Sequence, residues 1–229
     1  MTSPVLLLFD IDGTLLIRAS EAHRDAIYDG LREVFGLADP GAVAVESAGR
    51  TDSAIARGIL ARSGGDGAFD DRAERFRAVC VAAYERRCPA SLAVHVAPGM
   101  PELLAGLGYA RASLVTGNYE PIARLKLSRA GIGHHFADGQ GGFGSDAEDR
   151  ALLPEIARRR AGREGRPHPR EQTIVIGDTP RDIACARADG LRVYAVATGP
   201  YPAAALAGAD AVFADAWGLR ERLDSDLAA

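Results

Sequence analysis

The chain has 229 residues, of which 47% are hydrophobic and 25% are charged, and its formal net charge is −4 at pH 7. This composition is typical of an ordinary globular protein with a substantial core. The mildly acidic balance gives no field that would attract nucleic acid, so we expect no nucleic-acid partner. The three cysteines lack the paired spacing of a disulfide framework or a zinc site.

The longest apolar run near the start of the sequence extends from Val5 to Phe9. It is much shorter than the core of a signal peptide or a membrane span, and no basic segment precedes it. We therefore expect a cytoplasmic protein without a membrane partner.

The first predicted element is a buried strand over Val5–Leu8, which runs into Phe9-Asp10-Ile11-Asp12-Gly13-Thr14-Leu15. In an extended chain, residues two apart point to the same side, so the carboxylates of Asp10 and Asp12 converge. Two like charges this close need a partner, and Mg²⁺ binds one or two carboxylates while it keeps positions for water and phosphate oxygens. The motif predicts a magnesium site, the alternative being an ordinary Asp/Gly turn.

Helical periodicity replaces the strand pattern over residues 17–97. Three amphipathic helices are predicted there: one that begins after Ser20 and ends at Gly36, one that begins at Thr51 or Asp52, and one that ends near Cys88. No clear strand pattern interrupts them. We expect a small helical domain, residues 17–97, inserted after the first strand.

Strands and helices alternate from Pro101 onward. Buried strands are predicted over Ala112–Val115, Thr173–Ile176, Arg192–Val196 and Ala211–Phe213. Such alternation is typical of an α/β fold with a doubly wound parallel sheet, here formed by residues 1–16 and 98–229.

Two of the intervening helices are predicted over Ala147–Ala161 and Asp182–Ala188. The glycine-rich segment Gly139–Gly144 has the spacing of a dinucleotide-binding loop, but no clear strand leads into it. We interpret this segment as a flexible turn.

Polar segments follow three of the predicted strands. They are Asp10-Ile11-Asp12, Thr116-Gly117-Asn118 and Gly177-Asp178. Ligands of doubly wound sheets bind beyond the carboxyl ends of the strands, so these segments are expected to meet at one edge of the sheet.

These motifs, with the helical insertion and the late segment Gly177-Asp178-Thr179-Pro180-Arg181-Asp182, resemble the haloacid dehalogenase-like hydrolase superfamily over nearly the whole chain. Within the superfamily the chain resembles the phosphoglycolate phosphatase-like branch, whose helical cap follows the first aspartate motif. The resemblance implies a Rossmann-like core and a Mg²⁺-dependent phosphatase that hydrolyses a small phosphorylated metabolite through an aspartyl phosphate.

The resemblance also implies roles for individual residues. Asp10 corresponds to the nucleophile, and Asp12 to the acid that protonates the leaving oxygen and then activates water. The metal ligands would be Asp10, the backbone carbonyl of Asp12, and Asp178, with Asp182 in support.

Thr116 and the N–H groups of Gly117 and Asn118 would bind the phosphoryl oxygens. Asn118 could equally cap the next helix. In the cap, Arg50 is a candidate for substrate recognition, whereas His23 is expected to be an exposed helix residue.

The basic partner of the nucleophile is where the sequence departs from many relatives, because no Lys-Pro pair precedes the last aspartate motif. Arg150, on the first turn of the predicted helix, is the first candidate. Lys126, the one lysine of the chain, is the second.

Other activities of the superfamily are constrained by the same residues. A dehalogenase does not need Asp12, and a phosphonate-cleaving relative needs a cap lysine, which residues 17–97 lack. A sugar-phosphate mutase uses the same aspartate pair, so the sequence does not exclude this activity. A catalytically silent phosphate-binding regulator is a second alternative, but the intact Asp10, Asp12 and Asp178 argue against it.

Overall fold

The structure is a computed structural model that describes residues 4–65 and 69–227. Six parallel strands form one sheet in the order β3-β2-β1-β4-β5-β6. The order reverses between β1 and β4, which defines a doubly wound sheet and confirms the predicted fold class. The strands are β1 Val5–Phe9, β2 Ala110–Thr116, β3 Gly142–Phe143, β4 Thr173–Gly177, β5 Arg192–Val196 and β6 Ala211–Phe213.

Helices cover both faces of the sheet, and four of the helices in the described residues lie between β1 and β2 in the chain. No helix in the described part of the chain is long and apolar enough to cross a bilayer. The helices are α1 Glu21–Phe35, α2 Asp52–Arg62, α3 Phe69–Arg87, α4 Met100–Gly106, α5 Glu120–Arg129, α6 Leu153–Ala161, α7 Pro180–Ala188 and α8 Ala216–Leu227.

Strand β1 lies at the centre of the sheet and is buried on both faces. Leu7 and Phe9 pack into one hydrophobic cluster, and Leu6 and Leu8 pack into another on the opposite face. The alternation follows from the two-residue period of a strand. Because both faces are covered, the apolar run is continuous and ends abruptly in charge at Asp10.

The interpretation of Gly139–Gly144 as a flexible turn is wrong. Gly142 and Phe143 form the edge strand β3, which pairs in parallel with Val115 and Thr116 of β2. The glycines are needed for close approach rather than flexibility, because a Cβ at Gly142 would collide with the backbone of α6.

The predicted helix over Ala147–Ala161 is too long at its start. Residues 147–149 are not helical, a single 3₁₀ turn covers Arg150–Leu152, and α6 begins only at Leu153. Pro154 accounts for the late start, because proline fits the first turn of an α-helix but not its interior.

The insertion, defined here as residues 17–97 with helices α1, α2 and α3, packs directly on α5. Tyr119 and Ile122 are buried in the same hydrophobic cluster as the helices of the insertion. Its two connections to the sheet run side by side, with Ile17 N donating to His95 O at 2.8 Å and Ala97 N to Leu15 O at 2.9 Å.

Phe76 of α3 is fully buried and packs against the rings of Phe35 and Phe69. We expect Phe76→Ala to lower the free energy of unfolding by about 3–5 kcal/mol, because it removes a large buried side chain and leaves a cavity. Val94→Ala is the control, since Val94 is 88% exposed and should change stability by less than about 0.5 kcal/mol. Equal effects in denaturant titrations would contradict this packing.

Candidate active site

Three polar segments meet at the carboxyl edge of the sheet. Asp10 directly follows β1, Asp178 directly follows β4, and Thr116 ends β2. All three side chains are buried. The structure thus brings together the strand ends that the sequence singled out, at the position where doubly wound sheets bind their ligands.

Three of the aspartates form a compact acidic cluster. Carboxylate oxygens of Asp10, Asp178 and Asp182 all lie within 4.8 Å of one another. One oxygen of Asp178, Oδ1, accepts a hydrogen bond from Thr14 Oγ1 at 3.1 Å. Its buried Oδ2 has no hydrogen-bond partner among the residues that the structure describes. A buried carboxylate oxygen without a donor is costly unless a cation binds it.

Burial raises the pKa of Asp178 to about 9, and the neighbouring charges of Asp182 and Asp10 add to the shift. Burial also raises the pKa of Asp10 to about 7, although the charge of Arg150 opposes this. Protons therefore compensate the clustered charge when no cation is bound. A divalent cation would replace those protons.

Two glycines leave the space beside this cluster. A Cβ at either Gly13 or Gly199 would overlap the carboxylate of Asp178. This space lies next to Asp178 Oδ2, the buried oxygen that has no donor among the described residues. A hard divalent cation fits such a position. The residues present are thus suited to a metal ion held by Asp10 and Asp178.

Arg150 is the basic group nearest the nucleophile position. It is only 8% exposed, and its Nη2 donates to Asp10 Oδ1 at 3.0 Å and also to Asp182 Oδ1. Its Nε is buried and has no acceptor within the described part of the chain. The guanidinium is thus fixed between Asp10 and Asp182.

Asp182 is held by the start of α7 as well as by Arg150. Its Oδ2 accepts from the backbone N–H of Thr179 at 2.9 Å and from the Thr179 hydroxyl at 2.7 Å, and the Asp182 N–H donates back to that hydroxyl at 3.2 Å. This is a capping box, which fixes the first turn of the helix. Asp182 belongs to the acidic cluster, but both its oxygens already have donors.

Lys126 contacts Asp12 rather than Asp10. Its Nζ lies 2.8 and 2.6 Å from the two carboxylate oxygens of Asp12, and 2.8 Å from Asn118 Oδ1. Asn118 Nδ2 donates to Asp12 at 3.0 Å. Burial acts to raise the pKa of Asp12, but the charge and hydrogen bond of Lys126 and the hydrogen bond from Asn118 act together against it, and the net result is a lowered pKa.

The alternative role of Asn118 as a helix cap is wrong. The residue that precedes α5 is Tyr119, and no side-chain capping hydrogen bond is present there. The Asn118 amide instead lies between Asp12 and Lys126, where it satisfies both.

His23 is buried, contrary to expectation. It is 6% exposed, with Nδ1 3.0 Å from Lys126 Nζ and Nε2 3.1 Å from Asp52 Oδ2. The sequence showed an amphipathic helix, but not that the insertion folds onto α5 and covers this face. The contact links the insertion to the residues that hold Asp12.

The insertion also makes backbone contacts with the loop that follows β2. Asp52 N donates to Gly117 O at 2.9 Å, and Tyr119 N donates to Asp52 Oδ2 at 2.8 Å. The backbone oxygen of Arg50 lies so close to Gly117 that a Cβ there would collide with it. Gly117 therefore allows the insertion to approach the sheet edge.

A cavity of about 990 Å³ lies between the insertion and the sheet edge. Lys126 and Asp182 are not among its lining residues, but they contact the lining residues Asp12 and Arg150. The remaining sequence-predicted site residues all line it: Asp10, Asp12, Arg50, Thr116, Gly117, Asn118, Arg150 and Asp178.

Sequence reasoning missed two parts of the site. The loop after β5 places Gly199 against Asp178, and Thr198 Oγ1 donates to Gly13 O at 2.5 Å. Asp52 was interpreted only as a helix start, although it also contacts His23. The loop after β5 could have been found, because it follows a buried parallel strand as the other site segments do.

The family model of the haloacid dehalogenase-like hydrolases matches residues 7–187. None of the curated proteins matches the chain. Among solved structures, a protein assigned as a β-phosphoglucomutase from Bacteroides vulgatus has a TM-score of 0.66 at 22% identity, over 98% of this chain and 90% of its own.

Two further structures share the fold. A predicted phosphoglycolate phosphatase from Haemophilus somnus has a TM-score of 0.62 at 19% identity, over 97% of this chain and 100% of its own. CbbY from Rhodobacter sphaeroides, solved in complex with phosphate, has a TM-score of 0.61 at 17% identity, over 99% and 100%. The family match covers most of the chain and includes the aspartates of the site, so this chain belongs to the haloacid dehalogenase-like hydrolases.

Proposed function

We propose that the protein is a Mg²⁺-dependent phosphatase that hydrolyses a small phosphorylated metabolite through an aspartyl phosphate on Asp10. The observation that carries this proposal is the contact between Asp10 and the buried guanidinium of Arg150, beside the unpartnered oxygen of Asp178. A carboxylate nucleophile, a fixed positive charge and a cation position are the requirements of phosphoryl transfer. The structure of CbbY with phosphate supports a phosphate-containing substrate.

In the first step, an oxygen of Asp10 attacks phosphorus and the bond to the leaving alcohol oxygen breaks. Arg150 lines the cavity, so its guanidinium would bind a phosphoryl oxygen while Nη2 holds Asp10. Thr116 and the backbone N–H groups of Gly117 and Asn118 would bind the other oxygens. Mg²⁺, when bound by Asp10, the Asp12 carbonyl and Asp178, neutralises phosphate charge and lets two anions meet.

In the second step, Asp12 accepts a proton from the water that attacks phosphorus, and the bond between phosphorus and the Asp10 oxygen breaks, which releases phosphate and restores the Asp10 carboxylate. The ion pair with Lys126 keeps Asp12 in the carboxylate form, which this step requires. To act as the acid of the first step, Asp12 must carry a proton. Esters with poor leaving groups therefore depend on Asp12 more than aryl esters do.

We propose that the insertion acts as a cap, with residues 17–97 closing over a core of residues 1–16 and 98–229. Its paired connections provide the hinge, and its contacts with Gly117 exclude water from the phosphoryl group. An enclosed site admits metabolites rather than folded phosphoproteins.

The direct test is release of inorganic phosphate from 4-nitrophenyl phosphate. We expect turnover that requires Mg²⁺, stops with a chelator and returns when Mg²⁺ is restored. Asp10→Asn should abolish turnover because it removes the attacking oxygen, whereas Asp138→Asn, at an exposed position, should leave it unchanged. Turnover that survives chelation would rule out the metal, and an active Asp10→Asn variant would rule out the nucleophile.

Phosphate release from a hexose phosphate, measured in the same way, separates a phosphatase from a sugar-phosphate mutase and from a silent binding protein. A mutase returns the phosphoryl group to a sugar and releases little free phosphate. A silent regulator releases none, with or without Mg²⁺. Stoichiometric phosphate release over many turnovers is expected.

Arg150→Ala should lower kcat/KM for this ester by about 30- to 1,000-fold, the scale of losing one preorganised electrostatic contact. Arg159→Ala is the matched control, since Arg159 lies on α6 and its side chain is 67% exposed. Lys126→Ala should lower kcat/KM less, because Lys126 contacts Asp12, the proposed acid, and the aryl leaving group needs no acid. The reverse order of Arg150→Ala and Lys126→Ala would assign the role beside the nucleophile to Lys126.

A further inference from the structure

The cavity above the aspartates has two chemically distinct sides. Its sheet side is polar and carries the catalytic groups described above. Its insertion side carries a group of apolar side chains from α1, from the loop before α2, and from α2 itself, next to charged residues that include Arg24, Arg50 and Asp52. The apolar residues are Ile27, Tyr28, Val43, Val45, Ile55 and Ile59.

The volume of the cavity exceeds what a very small ester needs. At about 990 Å³ it lies at the upper end of the range for small-molecule sites, which is about 300–1,000 Å³. A two-carbon phosphate ester would leave most of this space to water beside apolar side chains. Apolar surface against ordered water is unfavourable, whereas an apolar group placed there gains the free energy of burial.

The carboxylates on the insertion side are already engaged. Glu46 accepts hydrogen bonds from Arg181 Nη2 at 2.7 Å and from the hydroxyl of Tyr201. Asp52 accepts from the backbone N–H of Tyr119 and contacts His23. A sugar depends on such acceptors for its hydroxyl groups, and a buried hydroxyl without a partner is costly.

From this division of the cavity we propose that the substrate is a phosphomonoester whose alcohol carries an apolar body, which packs against the insertion side while the phosphate meets Asp10. This inference rests on the proposed phosphatase function and narrows its substrate class. Esters of small hydroxy acids and of sugars are then poorer substrates than alkyl or aryl-alkyl esters of similar leaving-group acidity.

The test is a series of unbranched alkyl phosphates from ethyl to hexyl, with phosphoglycolate and glucose 6-phosphate alongside. These alkanols differ little in acidity, so the chemistry stays nearly constant while apolar surface grows. We expect kcat/KM to rise about two- to fourfold for each added methylene group that is buried. Hexyl phosphate should exceed both phosphoglycolate and glucose 6-phosphate.

A pair of matched variants tests whether the apolar side chains of the insertion bind the alkyl chain. The double variant Val43→Thr and Val45→Thr keeps side-chain shape but places hydroxyl groups in the apolar wall, and it should lower kcat/KM for hexyl phosphate at least threefold. Ethyl phosphate should be almost unaffected. Val94→Thr, the same change at a position that is 88% exposed and outside the cavity, should alter neither.

The outcomes separate this inference from the proposed function. A flat or falling alkyl series, or a higher kcat/KM for phosphoglycolate or glucose 6-phosphate, overturns the substrate class and leaves the phosphatase intact. A rising series that the double variant does not weaken also overturns it, because the apolar wall is then not the binding surface. Failure to release phosphate from every ester, 4-nitrophenyl phosphate included, removes the proposed function and this inference with it.

Discussion

The structure depends on the balance of charge in a buried cluster at the end of β1. Asp10, Asp178 and Asp182 are within a few per cent of complete burial, and Arg150 is the guanidinium that faces them. Burial raises the pKa values of Asp10 and Asp178, and the neighbouring carboxylates, which one positive charge cannot compensate, add to the shift. A divalent cation at the cluster would compensate this excess of negative charge. Burial that would be unfavourable in a merely structural site is useful in a catalytic one.

A second polar network connects the sheet edge to the insertion. Lys126, which is completely buried, joins Asp12 and Asn118 of the sheet edge to His23 of α1. His23 in turn lies against Asp52 at the start of α2. A buried ammonium needs all its partners, so the position of the insertion and the state of Asp12 are physically coupled. One network surrounds Asp10, and the other surrounds Asp12.

Much of this arrangement is predictable from sequence, and the reasons are physical. Continuous apolar runs ending in aspartates indicate buried parallel strands, and parallel strands bring their ends together, so Asp10, Asp178 and Thr116 could be placed before the structure. The edge strand at Gly142 could not be predicted, because glycine is a poor strand former. Glycine is required at this position because the strand lies in close contact with α6. The burial of His23 and the partner of Lys126 depend on how the insertion packs on α5, which local periodicity does not encode.

The central claim is that Asp10 carries the phosphoryl group between the two steps. Asp12→Ala, which lacks the base of the second step, should accumulate this intermediate with 4-nitrophenyl phosphate, whose leaving group needs no acid. Rapid acid quench followed by mass spectrometry of peptides measures it directly. The account predicts one phosphoryl group on the peptide that contains Asp10, lost on treatment with hydroxylamine and absent from a variant that also carries Asp10→Asn. A phosphoryl group on another residue, or a burst of nitrophenol with no labelled peptide, would contradict it.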